Sequence, residues 1–398
     1  MRTVYFDVEN TLNVPFITGI QRVVRNFASV VLNPSFDDPE LDFVPIIYDH
    51  HAANWRRLSA KEQNELVSSS PRKADFLSRV KRKLSRLVLR VKPLVINKLD
   101  ETAIFFDIES SWHSRLSRNE LLPDLQKQGV QIAKLHYDII PILFPKTTHP
   151  NTLKVFSEHL FSHLLYADVF FCISHQTKQD LIDFCEEHAW RIPESRVIRL
   201  GTKIDALQCE PDDSEGRFHE QKNLGRYILT VGTLEPRKNH VLLLDAFNTI
   251  SQKTNLNLVL VGKIGWQAED ILATIRSHPL FNQRVFYLGE VSDTRLQGLY
   301  ENAWLNVIPS QYEGFGLPVT EALARGVPTV CSDAGALTEV GANHAKFFSV
   351  SSADDLAAQV LEVAQNKASY QTLLRAAEVF QPISWEQTVA DIVDGLKG

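Results

Sequence analysis

Cysteine is scarce in this 398-residue chain: Cys172, Cys185, Cys209 and Cys331 form no Cys-x-x-Cys pair and join no His/Cys cluster. Neither a zinc centre nor a disulfide framework is expected, and a reducing compartment fits. No uninterrupted apolar run reaches the length of about 18 residues that a membrane-spanning helix needs. Met1–Val8 carries charge straight into a strand-like stretch. Spanning segments and an export leader are therefore not expected, which points to the cytoplasm. Internal repeats and low-complexity tracts are also missing. Net charge is slight, −6, and argues against a general nucleic-acid binder. What is present is 44% hydrophobic and 23% charged residues, which excludes a disordered or fibrous chain. The length suits two domains.

Short β-rich runs alternate with longer segments of helical period. Thr3–Val8 precedes Thr18–Leu32, and Asp168–Ser174 precedes a helix capped by Ser174 or Thr177. Further strand candidates stand at Phe43–Tyr48, Ala103–Ile108, Gln131–Leu135 and Arg196–Leu200. This βαβ alternation implies a parallel sheet. Between Lys203 and Arg226 the sequence turns polar without apolar periodicity, as an interdomain linker does. Strand candidates resume at Tyr227–Val231, Leu256–Val261, Arg284–Leu288, Leu305–Pro309 and Val327–Cys331, each separated by a helix-length interval. The expected fold class is α/β, with two Rossmann-like domains, residues 1–205 and 222–383. A last helix, 384–398, starts after the break at Pro382.

In open parallel sheets, ligands sit beyond the carboxyl ends of strands. Two turns of the second domain carry suitable chemistry. After Tyr227–Val231 comes Gly232-Thr-Leu-Glu-Pro-Arg237-Lys238-Asn-His, then an apolar helix. Gly232 permits a tight turn, and two cations stand at a helix start, where the macrodipole prefers acids. A bound anion would resolve that conflict; a solvated surface pair is the alternative. After Leu305–Pro309 comes Ser310-Gln-Tyr-Glu313-Gly314-Phe315-Gly316-Leu317-Pro318, with Glu321 in the following helix and Gly326 at its end. Pro318 suits the first helical position and Gly326 a C-terminal cap. Gly314 and Gly316 leave backbone N–H groups open to a phosphate oxygen, and Glu321 could accept two hydrogen bonds from a ribose diol. Separately, Glu321 also reads as a favourable first-turn acid and Glu313 as a surface residue.

Together these residues say more. Glu313, seven intervening residues and Glu321, wrapped around Gly-Phe-Gly-Leu-Pro, resemble the signature of family-4 retaining glycosyltransferases with the GT-B fold, two Rossmann-like domains facing across a cleft. The resemblance extends over most of the second domain: Val231-Gly-Thr-Leu-Glu-Pro-Arg-Lys, Val259-Leu-Val-Gly262, Val285-Phe-Tyr-Leu-Gly289, and Val327-Pro-Thr-Val with Gly335 downstream. It implies that Arg237 and Lys238 hold a diphosphate, that Glu313 and the backbone of Gly314, Phe315, Gly316 and Leu317 hold the donor sugar and phosphate, and that Glu321 holds the ribose. Members commonly carry Arg after the glycine matching Gly232; here Thr233 stands there, which moves that role to Arg237. No Asp-x-Asp triplet occurs, so the usual device for a divalent metal on a diphosphate is missing and fixed cations must suffice. No metal and no cofactor beyond the nucleotide-sugar co-substrate are expected. Helix 384–398 is expected to pack back on the first domain.

In that domain, Thr18-Gly19-Ile20-Gln-Arg22-Val-Val-Arg25 opens a helix with Thr18 as candidate cap. It resembles the glycine-bearing loop that faces the donor phosphate in this family; a helix start without ligand is the alternative. His136-Tyr-Asp138-Ile-Ile-Pro141 ends a strand and resembles the Asp-x-Ile-Pro of family-4 enzymes of polysaccharide assembly. His136 and Asp138 are candidate general bases for an acceptor hydroxyl, Asp138 preferred. Asp107, Glu109, Trp112 and His113 are further acceptor-site candidates, Trp112 as a stacking surface.

From Arg72 to Lys92 nine Lys/Arg face one acid, Asp75, while Phe76, Leu77, Val80, Leu84, Leu87, Val88 and Val91 recur at helical spacing. This resembles an interfacial helix for an anionic membrane; an ordinary docked surface helix is the alternative. The reading is a hexosyltransferase of lipopolysaccharide or O-antigen assembly, with mannose from GDP-mannose as the leading donor. Its partners are the nucleotide sugar, a lipid-linked or polysaccharide acceptor, an anionic membrane through residues 72–92 and other polysaccharide-assembly enzymes, and no nucleic acid. That places it on the inner face of the plasma membrane. A sugar-nucleotide epimerase or phosphorylase of the same fold, or a non-catalytic partner subunit, are the alternatives.

Overall fold

The structure, a computed structural model, describes residues 1–13, 19–49, 54–68, 95–96, 99–114, 116–202 and 224–398. The candidate cap Thr18, the basic segment 72–92 and linker residues 203–223 lie outside them. Among the described residues no helix is long and apolar enough to cross a membrane.

Eight strands form the first sheet: β1 (Arg2–Asp7), β2 (Leu41–Asp49), β3 (Asn54–Arg57), β4 (Val95–Ile96), β5 (Ile104–Asp107), β6 (Gln131–His136), β7 (Val169–Cys172) and β8 (Glu194–Val197). Their order is β4-β3-β2-β1-β5-β6-β7-β8. Pairing is parallel from β2 through β8 and antiparallel at β2–β3 and β3–β4. Ile-Phe-Phe-Asp in β5 and Val-Phe-Phe-Cys in β7 are buried at every position, as continuous apolar runs are when helices cover both faces. The second sheet holds β9 (Tyr227–Val231), β10 (Asn257–Val261), β11 (Val285–Tyr287), β12 (Leu305–Ile308), β13 (Thr329–Ser332) and β14 (Lys346–Phe348). Its order is β11-β10-β9-β12-β13-β14, all parallel. Strands β3, β4 and β14 had no counterpart in the sequence reading.

A run of edge-to-face phenylalanines builds the first core: Phe27 meets Phe6 at 5.4 Å, Phe43 at 5.7 Å and Phe106 at 5.6 Å. The last helix, Trp385–Lys397, packs on this core and not on the second sheet. Its Trp385, Val389, Ile392 and Leu396 are buried among the same side chains. Two glycines permit the approach: a methyl on Gly201 would lie 2.7 Å from Trp385 Cγ, and one on Gly395 2.3 Å from Phe171 Cε1. Thr388 Oγ1 donates to the Arg199 carbonyl at 2.8 Å, and Lys397 pairs with Asp38 at 2.8 Å.

Trp385→Ala is expected to destabilise the protein by about 3 to 5 kcal/mol in urea unfolding, the range for truncating a buried aromatic. Val379→Ala, at a position 63% exposed, is expected to stay within about 0.5 kcal/mol.

Candidate functional site

Strand β12 delivers Ser310 to Leu317 into the space between the sheets. Glu313 is 7% exposed, and its carboxylate accepts from Lys238 Nζ and, at 3.1 Å, from Arg237 Nη1. Burial would raise its pKa, but Lys238 and Arg237 outweigh that and hold it at about 2. The Arg237 guanidinium also donates to the Tyr312 carbonyl and to Glu235 at 2.7 Å. Both cations sit on a tight turn, Pro236–Lys238, closed by Asn239 in the left-handed region at φ 57°. Helix His240–Lys253 begins only after it. The two cations therefore precede the helix instead of occupying its first turn, and the anion their pairing called for is in part supplied by Glu313. The glycine this corner requires is Gly262, where a Cβ would fall 1.8 Å from the Gly232 carbonyl oxygen; at Gly232 itself a Cβ would make ordinary contact with Lys238.

The rest of the loop is pressed against the first domain. A methyl on Gly314 would stand 2.6 Å from the Tyr137 carbonyl oxygen and 3.1 Å from Asp138 Oδ2, and the Gly314 carbonyl accepts from Ser174 Oγ at 2.7 Å. Phe315 is buried within the first domain's core. Gly316, at φ 103°, precedes the short helix Leu317–Leu323, with Pro318 at its second position. Gly19 faces Leu317: a methyl on it would stand 3.8 Å from Leu317 Cδ1. Gly19 and Asp138 of one domain thus meet Gly314 and Leu317 of the other. Asp138 Oδ1 accepts from the Ile140 N–H at 3.0 Å; burial raises its pKa and Arg237 opposes the rise.

Glu321 is 4% exposed and already partnered. Arg22 Nη1 donates to it at 3.0 Å and Tyr300 OH at 3.1 Å, while Arg22 Nη2 reaches Asp293 at 3.2 Å. Arg22, one turn beyond Gly19, carried no assigned role in the sequence reading, although a cation on that helix face was its visible signal. On the opposite side of the cleft, Glu339 accepts from the N–H groups of His175 and Gln176 at 2.9 and 3.3 Å, where helix His175–Glu187 begins under a Ser174–Thr177 capping box. Arg25, by contrast, is committed to the carbonyls of Glu65 and Leu66 at 2.7 and 2.9 Å.

His136 does not join this group. It is 3% exposed against Phe170, and burial, with Lys134 and His163, lowers its pKa to about 3, so it stays neutral. Asp107 and Glu109 are structural. Asp107 accepts from Arg118 Nε and Ser111 Oγ, both at 2.8 Å. Glu109 accepts the Asn10 and Thr11 N–H groups at 2.7 Å, fixing helix Glu9–Asn13, and is pushed up to about 8 by burial and Asp7. The side chain of His113 lies outside the described residues. Among the described residues one group, Asp107, His159 and His163, has metal-ligand atoms within 4.8 Å of one another. The fit is poor: Arg118 and Lys134, the latter 3.8 Å away, already neutralise Asp107 and would repel a divalent cation.

Beside Asp138 and Arg237 opens a cavity of about 280 Å³. Trp112, His136, His159 and His163 line it from the first domain, and Glu235 and Trp266 reach it from the second. Two facing α/β domains thus bring paired cations and buried carboxylates together where their strand ends meet.

Residues 213–379 match the family described as glycosyl transferases group 1. O-antigen chain mannosyltransferase B of Escherichia coli is 35% identical over 268 residues, 66% of this chain and 68% of that protein. The serotype-specific mannosyltransferase WbdA of Escherichia coli is 28% identical over 357 residues, 87% of this chain; the chain spans 40% of WbdA's length. The crystal structure of Anabaena HepE in complex with UDP and glucose covers 100% of both chains at a TM-score of 0.67 and 15% identity. The chain belongs to the group 1 glycosyl transferases.

Because a Cβ at residue 314 collides with the Tyr137 backbone, Gly314→Ala is expected to lower turnover by about tenfold or more through misplacement of the loop. Unchanged steady-state rates in a variant with wild-type circular dichroism would contradict the close approach.

Proposed function

We propose that the protein is a family-4 retaining hexosyltransferase that moves mannose from GDP-mannose to a hydroxyl of a lipid-linked or polysaccharide acceptor without a metal ion. The single observation that carries this reading is the seat of Glu313 between Arg237 and Lys238, at the loop that meets Gly19 and Asp138. Two cations fixed at one edge of a buried loop suit a diphosphate leaving group, whose developing charge they would stabilise at no reorganisation cost. Donor and acceptor then meet on one face. The acceptor hydroxyl attacks the anomeric carbon as the sugar–phosphate bond breaks, and its proton passes to the leaving phosphate or to Asp138, which stands beside Arg237. Mannose is favoured because the sequence relatives are named mannosyltransferases. Glu321, with Arg22 displaced, is the acceptor for the ribose hydroxyls. The basic segment 72–92 supports work on the inner face of the plasma membrane, where lipid-linked glycans and the enzymes that extend them are held.

Incubation of the purified protein with a panel of nucleotide sugars, scored for donor hydrolysis and transfer, tests the reading; GDP-mannose is the expected substrate, with the anomeric configuration retained. Arg237→Ala or Lys238→Ala is expected to reduce kcat by about 2 to 4 kcal/mol of barrier for the better-placed cation. Activity is expected to persist in EDTA; loss restored by Mn²⁺ would refute the metal-free step.

The pH profile bears on Asp138. Its carboxylate accepts a proton only when ionised, and its pKa is raised above the ordinary 3.8. Turnover is therefore expected to rise with pH through that raised value. Asp138→Asn is expected to remove this acid limb and leave a flat, low rate.

A further inference from the structure

The donor chemistry uses Asp138 and Arg237 of this cavity but not its buried histidines. His136 Nε2 and both ring nitrogens of His159 have no protein partner among the described residues, although the side chains are only 3% and 6% exposed. Buried polar atoms left in that state are rare and ask for an occupant. Both rings are kept neutral by burial, aided by the nearby Lys134 ammonium. A neutral imidazole presents one N–H donor and one lone pair, and a hydroxyl, which both donates and accepts, can satisfy either, so a polyhydroxyl ligand suits these rings.

Size and shape narrow the ligand further. At about 280 Å³ the cavity stands at the small end of ligand pockets, which span about 300 to 1,000 Å³, and suits one sugar ring better than an oligosaccharide. Its inner end is closed by core: Leu160 and Phe170 are 3% and 0% exposed. Its outer end carries Trp266, 42% exposed, whose indole crosses from the second domain to within 4.3 Å of the His149 ring. An indole half in solvent beside the buried histidines offers an apolar face to the C–H side of a sugar.

We propose that this cavity is a subsite for one pyranose ring, the terminal sugar of the acceptor chain, hydrogen-bonded by His136 and His159 and covered by Trp266. The proposal rests on the glycosyltransferase reading and deepens it. A blind pocket admits a chain end and rejects an internal residue, which would need exits on two sides. The enzyme accordingly extends chains at their ends and does not branch them, with the attacking hydroxyl presented at the mouth by Asp138.

Thr152, half-buried on the wall, allows a test that leaves the donor machinery alone. In the full chain, Thr152→Trp fills the cavity and His159→Phe removes the ring nitrogens from its wall. Both are expected to raise the KM for methyl α-D-mannopyranoside by about tenfold or more while acceptor-free hydrolysis of the donor stays within about twofold of wild type. A folded Thr152→Trp variant with unchanged acceptor KM would overturn the subsite. Calorimetric titration of the same glycoside separates this from the donor reading: binding to the wild type that is lost in Thr152→Trp supports the pocket even if no nucleotide sugar is turned over. Binding of Zn²⁺ alone, abolished by His159→Phe, with no heat from the glycoside, would reassign the imidazoles to a metal and refute the proposal.

Discussion

The carboxylate of Glu313 is drawn out of water by the two cations that hold it, and much of the cleft follows from that attraction. A buried carboxylate is tolerated only where opposite charge and hydrogen bonds replace its hydration. Arg237 and Lys238 provide both, and to reach Glu313 they must leave their sheet on a tight left-handed corner before the next helix starts. The loop is then fixed at its acidic end. Its glycines have no side chain to keep the other domain away, so Gly314 lies on the backbone of Tyr137 and Phe315 enters the opposite core. The buried ion pairs and the contact between domains share a single loop.

Charge also fastens the two sides of the cleft. Arg22 bridges Glu321 and Asp293, and Glu339 caps the helix that starts at His175. Glu321 gives one oxygen to Arg22 of the first domain and the other to Tyr300 of its own, so a single carboxylate links the cleft to the core behind it.

Much of this was legible in the sequence. The apolar runs of β5, β7, β9 and β12 announced buried parallel strands, and the turns after β9 and β12 placed Arg237, Lys238 and Glu313 at strand ends. Strand β3 was hidden because Asn-Trp-Arg-Arg has no apolar alternation, and β14 because three residues make no pattern. Pairings were hidden for a different reason. Lys238 and Glu313 are 75 positions apart, and Arg22 and Glu321 are 299. Local periodicity carries no information at such separations. His159 and His163 did leave a trace, one helical turn apart on one face of helix Pro150–Tyr166, away from the strand ends.

The helix Trp385–Lys397 returns to the sheet with which the chain begins, so the second sheet is, in topological terms, an insert within the first domain. Two chain crossings, not one, join the halves, before residue 224 and after Phe380. Synthesis is affected as well. The apolar face left by Val23, Phe27 and Phe171 cannot be covered until Trp385 is made, after the entire second sheet. On the ribosome, the half that is begun first is the half whose core is completed last.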